Sequence, residues 1–330
     1  MQAVLVRENT PFENVEICDI PDPLPAPGEV VVEVAVSEVN YPDLMVIEGS
    51  YQIKPPFPFS PGKAAAGVVA AVGEGVIGLH KGDRVAVQVE YGTYAEKVRV
   101  PAVSCYPIPD DISFDKAAAL GLVYQTAWFA LRERAAFVEG ENVVVLGASG
   151  GVGVAGVQLA RAMGAKKVIG GVLGEHNAAV ALRAGAHHVI DLGASDLRDT
   201  LRQRVAEYTE GHGCDILLDP VGGDAAAAAM RAMAWCGRVV IIGFASGIVP
   251  QFKANHLLVK NISVSGLQWS DYRERQPHKV AQAQKEIFGL CARGLVDPVI
   301  SRTFPLGDFK LALRALREGT AQGKMLLRLA

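Results

Sequence analysis

The sequence predicts an α/β chain in which a doubly wound parallel sheet follows a smaller, irregular β domain. Three observations carry that prediction. At 330 residues the chain is about twice the length of an ordinary domain. Its N-terminal third runs in short apolar or alternating stretches cut by glycine and proline. Beyond about residue 140, short apolar strands alternate with helical periodicities, as when crossover helices join neighbouring strands.

In the first part, Val30, Val32, Val34 and Val36 alternate with Val31, Glu33, Ala35 and Ser37, the period of a strand with two different faces. Residues 65–72, 84–89 and 94–100 are further strand-like runs, separated by turns at Gly73-Glu74-Gly75, Lys81-Gly82-Asp83 and Tyr91-Gly92-Thr93. The proline-rich stretches 21–27 and 55–61 read as extended loops, because proline cannot donate to a central ladder. Ser113 caps a helix that begins Phe114-Asp115-Lys116 and continues, Ala-rich, to about Ala136.

Residues 143–146 form a short apolar strand leading straight into Gly147. Val152, Ala155, Gly156, Leu159, Ala160 and Met163 mark one face of a helix closed by Gly164. The alternation continues with a strand at 168–172, a helix at 177–184 ending at Gly185, and a strand at 188–191. Leu197, Leu201, Val205 and Tyr208 give the next helical face, stopped at Gly211, and strands follow at 214–218, 239–242 and 262–265. These strands are almost uniformly apolar, as a parallel sheet covered on both faces requires. Helices at 277–292 and 309–317 and a strand at 325–329 close the chain, and this tail is expected to rejoin the first domain.

Composition narrows the functional classes. With 50% apolar and 20% charged residues the chain is globular rather than disordered. No apolar run approaches the ~18 residues of a membrane span. The net charge of −3 is spread without blocks, so neither nucleic acid nor an anionic membrane is expected as a partner. No basic stretch followed by a long apolar one opens the sequence, so no secretory signal is visible and a cytoplasmic placement is expected. Cys18, Cys105, Cys214, Cys236 and Cys291 are far apart and odd in number, and they read as reduced, mostly buried thiols.

The strongest chemical signal is Val143-Val144-Val145-Leu146-Gly147-Ala148-Ser149-Gly150-Gly151-Val152-Gly153. Glycines between a buried strand and a helix let backbone approach a pyrophosphate, which the helix N-terminus then meets with unpaired N–H groups and partial positive charge. The same residues satisfy G-x-S-x-G, the nucleophile elbow of serine hydrolases, with Asp219 and His256 or His278 as nominees for the acid and base. That rival leaves Gly150 and Gly153 unexplained. No tyrosine is followed four residues later by lysine, and neither a G-x-x-x-x-G-K-[ST] loop nor H-E-x-x-H occurs. His187 and His188 open a strand and read as structural or solvent-facing.

Over nearly its full length the chain resembles the zinc-independent quinone oxidoreductase branch of the medium-chain dehydrogenase/reductase superfamily. The marks are Asn40-Tyr41-Pro42-Asp43, Pro61-Gly62, Ala66-Gly67-Val68-Val69, Gly82-Asp83-Arg84-Val85 and Gly92-Thr93-Tyr94-Ala95-Glu96. Thr126-Ala127, the 147–153 glycines, Asp219-Pro220-Val221-Gly222-Gly223 and Ile242-Gly243-Phe244 complete the set. The resemblance implies a Rossmann doubly wound sheet over 122–268 and a GroES-like β-rich catalytic domain from 1–121 and 269–330.

Zinc members of the superfamily hold a catalytic metal with a Cys, a Gly-His-Glu and a second Cys. At those places this chain carries Asn40, Gly62-Lys63-Ala64 and Leu122, none of which supplies a thiolate or imidazole, and the cysteine-rich structural-zinc lobe is absent. The resemblance therefore implies a metal-free NAD(P)H-dependent reductase that delivers hydride to a quinone or a small α,β-unsaturated carbonyl. It places Tyr51 near the reacting carbonyl and Asn40, Tyr41 and Asp43 beside the nicotinamide. Gly150, Gly151 and Val152 would take the diphosphate, and Gly174 lies where the second strand gives way to the ribose pocket. Thr126, Gly243, Phe244, Ala245 and Gly266 would contact the nicotinamide half, although Phe244 reads equally well as core.

The family implies NADPH. The Ser, Lys and Tyr of its phosphate pocket are nevertheless missing around Leu173-Gly174-Glu175-His176-Asn177 and Leu192, which leaves NADH open. An enoyl thioester reductase is the alternative, with Arg273, Arg275, His278 and Lys279 as the basic run for a phosphorylated arm. A non-catalytic nucleotide-binding or RNA-associated protein is an alternative of another class. The last Rossmann strand, 261–265, carries little charge and is expected at a sheet edge that joins a homodimer.

Overall fold

The computed structural model of the chain describes residues 1–329, which divide into two units: 1–122, 272–292 and 300–329 in the first, and 123–271 with 293–299 in the second.

The first unit opens with a hairpin of β1 (Gln2–Leu5) and β2 (Glu16–Asp19). Then come the long β3 (Glu29–Val39), α1 (Tyr41–Ile47), β4 (Ala64–Val72), β5 (Arg84–Gln88), β6 (Lys97–Pro101) and β7 (Cys105–Pro107). Strand β3 organises the unit, pairing antiparallel with β4 on one side and with both β6 and the C-terminal strand on the other. Its valines Val30, Val32 and Val34 pack with Val69, Val85, Val87, Val98 and Val100 in one core, while Glu33 is exposed as the alternation requires. Ser37 departs from that alternation; it is buried because its hydroxyl pairs with Thr93 Oγ1 at 2.7 Å. A second core gathers Phe12, Ile47, Tyr94, Phe309 and Leu327.

Ser113 caps α2 (Phe114–Ala119) by accepting from Lys116 N–H, as the sequence predicts. The Ala-rich segment beyond is not one helix. It breaks at Leu120-Gly121 and resumes as α3 (Leu122–Phe129), which relaxes into a wider π turn over Ala130–Arg134.

The second unit then alternates: β8 (Asn142–Leu146), α4 (Gly151–Ala162), β9 (Lys167–Val172), α5 (Gly174–Arg183), β10 (His188–Asp191) and α6 (Leu197–Tyr208). After these come β11 (Cys214–Asp219), α7 (Gly223–Ala229), β12 (Met233–Ile241), α8 (Ala254–Lys260) and β13 (Ser263–Gly266). All pairings are parallel and the order is β10-β9-β8-β11-β12-β13, the doubly wound arrangement with β13 outermost. Two boundaries differ from the sequence reading. Helix α5 starts at Gly174, because no residue between there and Asn177 opposes helix, and β12 begins at Met233, where Cys214 finds its partner.

The α9 helix (Trp269–Arg275) spans the division between units. Helix α10 (Pro277–Ala292), β14 (Ile300–Pro305), α11 (Phe309–Arg317) and β15 (Lys324–Arg328) complete the first unit, and β15 enters its sheet beside β3. The segment 293–299 groups with the second unit instead. Of the five thiols only Cys105 and Cys214 are buried. Cys236 is exposed on a left-handed kink within β12 (φ +60°), so the expectation of mostly buried thiols is corrected. Among the described residues no helix is long and apolar enough to cross a membrane.

Candidate functional site

In the second unit the candidate residues gather at the carboxyl ends of the parallel strands, where open α/β sheets bind ligands. Strand β8 ends at Leu146, and the chain turns through Gly147 (φ +61°) into α4. Two glycines of this turn have opposite causes. A Cβ on Gly153 would meet the Gly147 carbonyl oxygen at 2.0 Å, so strand-to-helix packing itself demands glycine there. A Cβ on Gly150 would meet only Gly147 O, at an ordinary 3.5 Å, and its φ of −83° suits any residue. The fold does not need Gly150 bare; a ligand seated on the first turn of α4 would. Gly151 and Val152, both half-exposed, supply that turn, whose amides have no intrahelical acceptors and carry partial positive charge. This is a cradle that fits a dinucleotide diphosphate.

Gly174 opens α5 in the left-handed region (φ +73°). Gly243, Phe244 and Ala245 follow β12, folded back so that Gly243 N–H donates to Asp219 O and Ala245 N–H to Pro220 O. Phe244 is 45% exposed, so it is not core. Gly266 ends β13, and Thr126 is buried within α3. Asp219, nominated as the acid of a serine-hydrolase triad, instead accepts two backbone bonds, from Val221 N (2.9 Å) and Gly222 N (2.7 Å). Burial raises its pKa and those two bonds oppose the rise.

One residue here escapes sequence reasoning. Asp191, the last residue of β10, turns its Oδ1 to Gly174 N (3.1 Å) and Gly193 N (3.0 Å), and these bonds lower its pKa. The carboxylate beside Gly174 therefore comes from β10 rather than from the end of β9. Its only signal in the sequence is an aspartate closing an otherwise apolar run.

In the first unit the site is a knot of buried charge. Asn40 caps α1, and its N–H donates to Asp43 Oδ2 (2.8 Å), which also accepts from Tyr94 OH (2.9 Å). Lys324, from β15, donates to Asn40 Oδ1 (2.7 Å) and Val39 O (3.1 Å) and pairs with Glu38 at 2.5 Å. Burial raises the Glu38 pKa against the pull of Lys324. Burial likewise lifts Asp43 from 3.8 to about 6, opposed first by Lys63 and then by its hydrogen bonds. Asp43 Oδ1 is buried without a hydrogen-bond partner, which leaves one acceptor for a ligand, while the Asn40 side chain also bonds Glu38. Tyr41, at the start of α1, is 49% exposed.

Lys63 donates to Glu90 twice, to Oε2 at 2.6 Å and to the carbonyl at 3.0 Å, and Arg273 pairs with the other carboxylate oxygen. The ammonium also lies 4.4 Å from the centroid of the half-buried Tyr51 ring. These residues do not fit a zinc ion. The position of an imidazole ligand holds a cation already bonded to a carboxylate, Asn40 Oδ1 is taken by a second ammonium, and Leu122 has no donor atom in its side chain. The proposed basic run also changes meaning, because Arg273 is buried against Glu90 rather than displayed beside Arg275 and His278.

Comparison with known proteins gives the family of both units. Residues 26–110 match the alcohol dehydrogenase GroES-like domain, and residues 151–288 match the family described as zinc-binding dehydrogenase. Quinone oxidoreductase-like protein 2 of Rattus norvegicus is 33% identical over 99% of this chain and 91% of its own length. Quinone oxidoreductase of Homo sapiens is 33% identical over 99% and 97%. Among solved structures, Escherichia coli quinone oxidoreductase complexed with NADPH superposes with a TM-score of 0.89 at 29% identity, covering 100% of both chains.

Proposed function

This chain is an oxidoreductase of the quinone oxidoreductase family within the medium-chain dehydrogenase/reductase superfamily, and we propose that it is an NADPH-dependent, metal-free reductase of quinones or small α,β-unsaturated carbonyls. The observation that carries the proposal is Gly150, bare where the fold has room for a side chain, at the positive end of α4. The E. coli relative complexed with NADPH supports the same cofactor here.

Bound there, NADPH supplies a hydride. The amides of Gly151 and Val152 hold the diphosphate, and Gly243, Phe244, Ala245, Thr126 and Gly266 offer backbone and side-chain surface for the nicotinamide half. Asp43 Oδ1 provides an unpaired acceptor that orients a polar ligand group, beside Asn40 and Tyr41. Tyr51 offers its hydroxyl to the acceptor oxygen, where negative charge develops. Asp191 favours a second reading, NADH, because a carboxylate beside Gly174 suits a ribose hydroxyl and repels a 2′-phosphate.

The outermost strand β13, flanked by α8 with Leu258 and Val259 78% and 75% exposed, suits a homodimer, which light scattering at micromolar concentration would reveal. Five thiols without disulfide partners suit a cytoplasmic protein. The deciding experiment is NADPH oxidation with a panel of quinones, enones and enoyl thioesters. Turnover confined to the first two classes is expected. Turnover with thioesters alone would move the assignment to an enoyl thioester reductase, and dinucleotide binding without any turnover would favour a non-catalytic role.

A further inference from the structure

A sequence search for tyrosine followed four residues later by lysine finds no pair. Folding assembles one from residues further apart. Lys63, at the start of the region leading into β4, brings its ammonium 4.4 Å from the centroid of the Tyr51 ring. It cannot drift, because it is 3% exposed and bonded twice to Glu90, which Arg273 grips from its other oxygen. Glu90 thereby holds the ammonium at a fixed place beside the ring. Lys63 also acts on Asp43, whose carboxyl it helps to keep ionised. An ammonium pinned against the face of a phenol ring restricts where that ring can place its hydroxyl.

Resting on the functional reading above, we propose that Lys63 is the positioning residue of Tyr51 and supports charge on the acceptor oxygen only through that phenol, which suits acceptors whose reduction puts an anion on that oxygen. When a quinone or enone receives the hydride, its new C–H bond forms, a π pair moves onto its oxygen, and that oxygen takes the Tyr51 proton. Water then restores the phenol. Lys63 exchanges no proton in this sequence. It aligns the ring and supports the charge.

The test compares Lys63→Met, Lys63→Arg, Tyr51→Phe and the double variant Tyr51→Phe/Lys63→Met, with a naphthoquinone as acceptor and NADPH affinity read by fluorescence titration. Lys63→Met is expected to lower kcat by about tenfold to a hundredfold, while the acceptor KM and the NADPH Kd stay within about threefold. Lys63→Arg should recover most of the loss, because a guanidinium keeps both the charge and the ring contact. The double variant should be no slower than the slower single one, since both act through one device. Wild-type kcat in Lys63→Met, or losses that multiply in the double variant, would overturn the assignment. If Lys63→Met does not fold, Glu90→Gln serves: it frees the ammonium, should slow kcat in the Tyr51 background and have no further effect in Tyr51→Phe, and unchanged kcat in the former overturns the assignment. A wild-type protein that binds NADPH but reduces no acceptor would instead sink the functional reading and this role with it.

Discussion

The second unit builds its candidate site from backbone, whereas the first builds it from buried charge. Around Gly150 and Gly174 the chemistry lies in amide groups at strand and helix ends, and side chains matter mainly by their absence. Around Asn40 and Lys63, three carboxylates (Glu38, Asp43, Glu90) and three cations (Lys63, Lys324, Arg273) hold one another in place. A backbone site comes with the fold and costs little stability. A buried ionic site is costly to assemble, fixes geometry tightly, and fails abruptly when one member is removed.

The largest effect should follow from breaking the charge knot. Lys324→Met leaves Glu38, fully buried, without its ammonium, and urea unfolding should show a loss of about 3–5 kcal/mol. Adding Glu38→Gln should recover a substantial part; a single variant that loses less than ~1 kcal/mol would show that the knot is not what holds the first unit.

Asp43 tests the same unit through pH. Its folded pKa of about 6 lies above the unfolded value of 3.8, so the folded state binds the extra proton in between. Relative to Asp43→Asn, the wild type should be most stable below about pH 4 and lose up to about 3 kcal/mol as pH rises through 6, then stay level. A difference that is flat from pH 4 to 7 would contradict the buried setting of this carboxyl.

Gly150→Val probes the backbone site. NADPH affinity should fall about a hundredfold (~2.7 kcal/mol) with the melting temperature almost unchanged, while Gly153→Ala, driven into the Gly147 carbonyl, should lose stability. Equal destabilisation by both variants would erase the contrast between the two glycines. The smallest effect belongs to Asp191→Asn, which should shift the NADPH-to-NADH affinity ratio toward NADPH by about fivefold, since only the phosphate form meets the carboxylate's repulsion. An unmoved ratio would remove Asp191 from the ribose pocket.

The same contrast explains what the sequence reveals. The second unit is legible because its strands are short apolar runs and α4, α5 and α6 give way to Gly164, Gly185 and Gly211, so local pattern and final structure coincide there and β10 falls where it is expected, whereas α7 and α8, which end at Met230 and Asn261, are missed. The 147–153 glycines announce their site for the same reason. In the first unit, α1 is missed although Asn40 and Pro42 are ordinary start signals, because seven residues are too few to show a period. The β1–β2 hairpin is missed because it spans a polar loop. Asn40, Asp43 and Tyr51 come from family resemblance rather than spacing. Lys324 is invisible as a site residue, since its partner Asn40 is 284 residues away, and nothing local marks Lys63 as the mate of Glu90.

The route of β15 has a consequence for synthesis. The dinucleotide sheet is nearly contiguous from β8 to β13, so it can form while the ribosome is still translating the remainder. Glu38, by contrast, lies on β3, ahead of the whole dinucleotide sheet, and meets its ammonium only after β15, beyond that sheet, has emerged. The nucleotide cradle can therefore be finished well before β15 supplies the ammonium that neutralises the acidic pocket around Glu38.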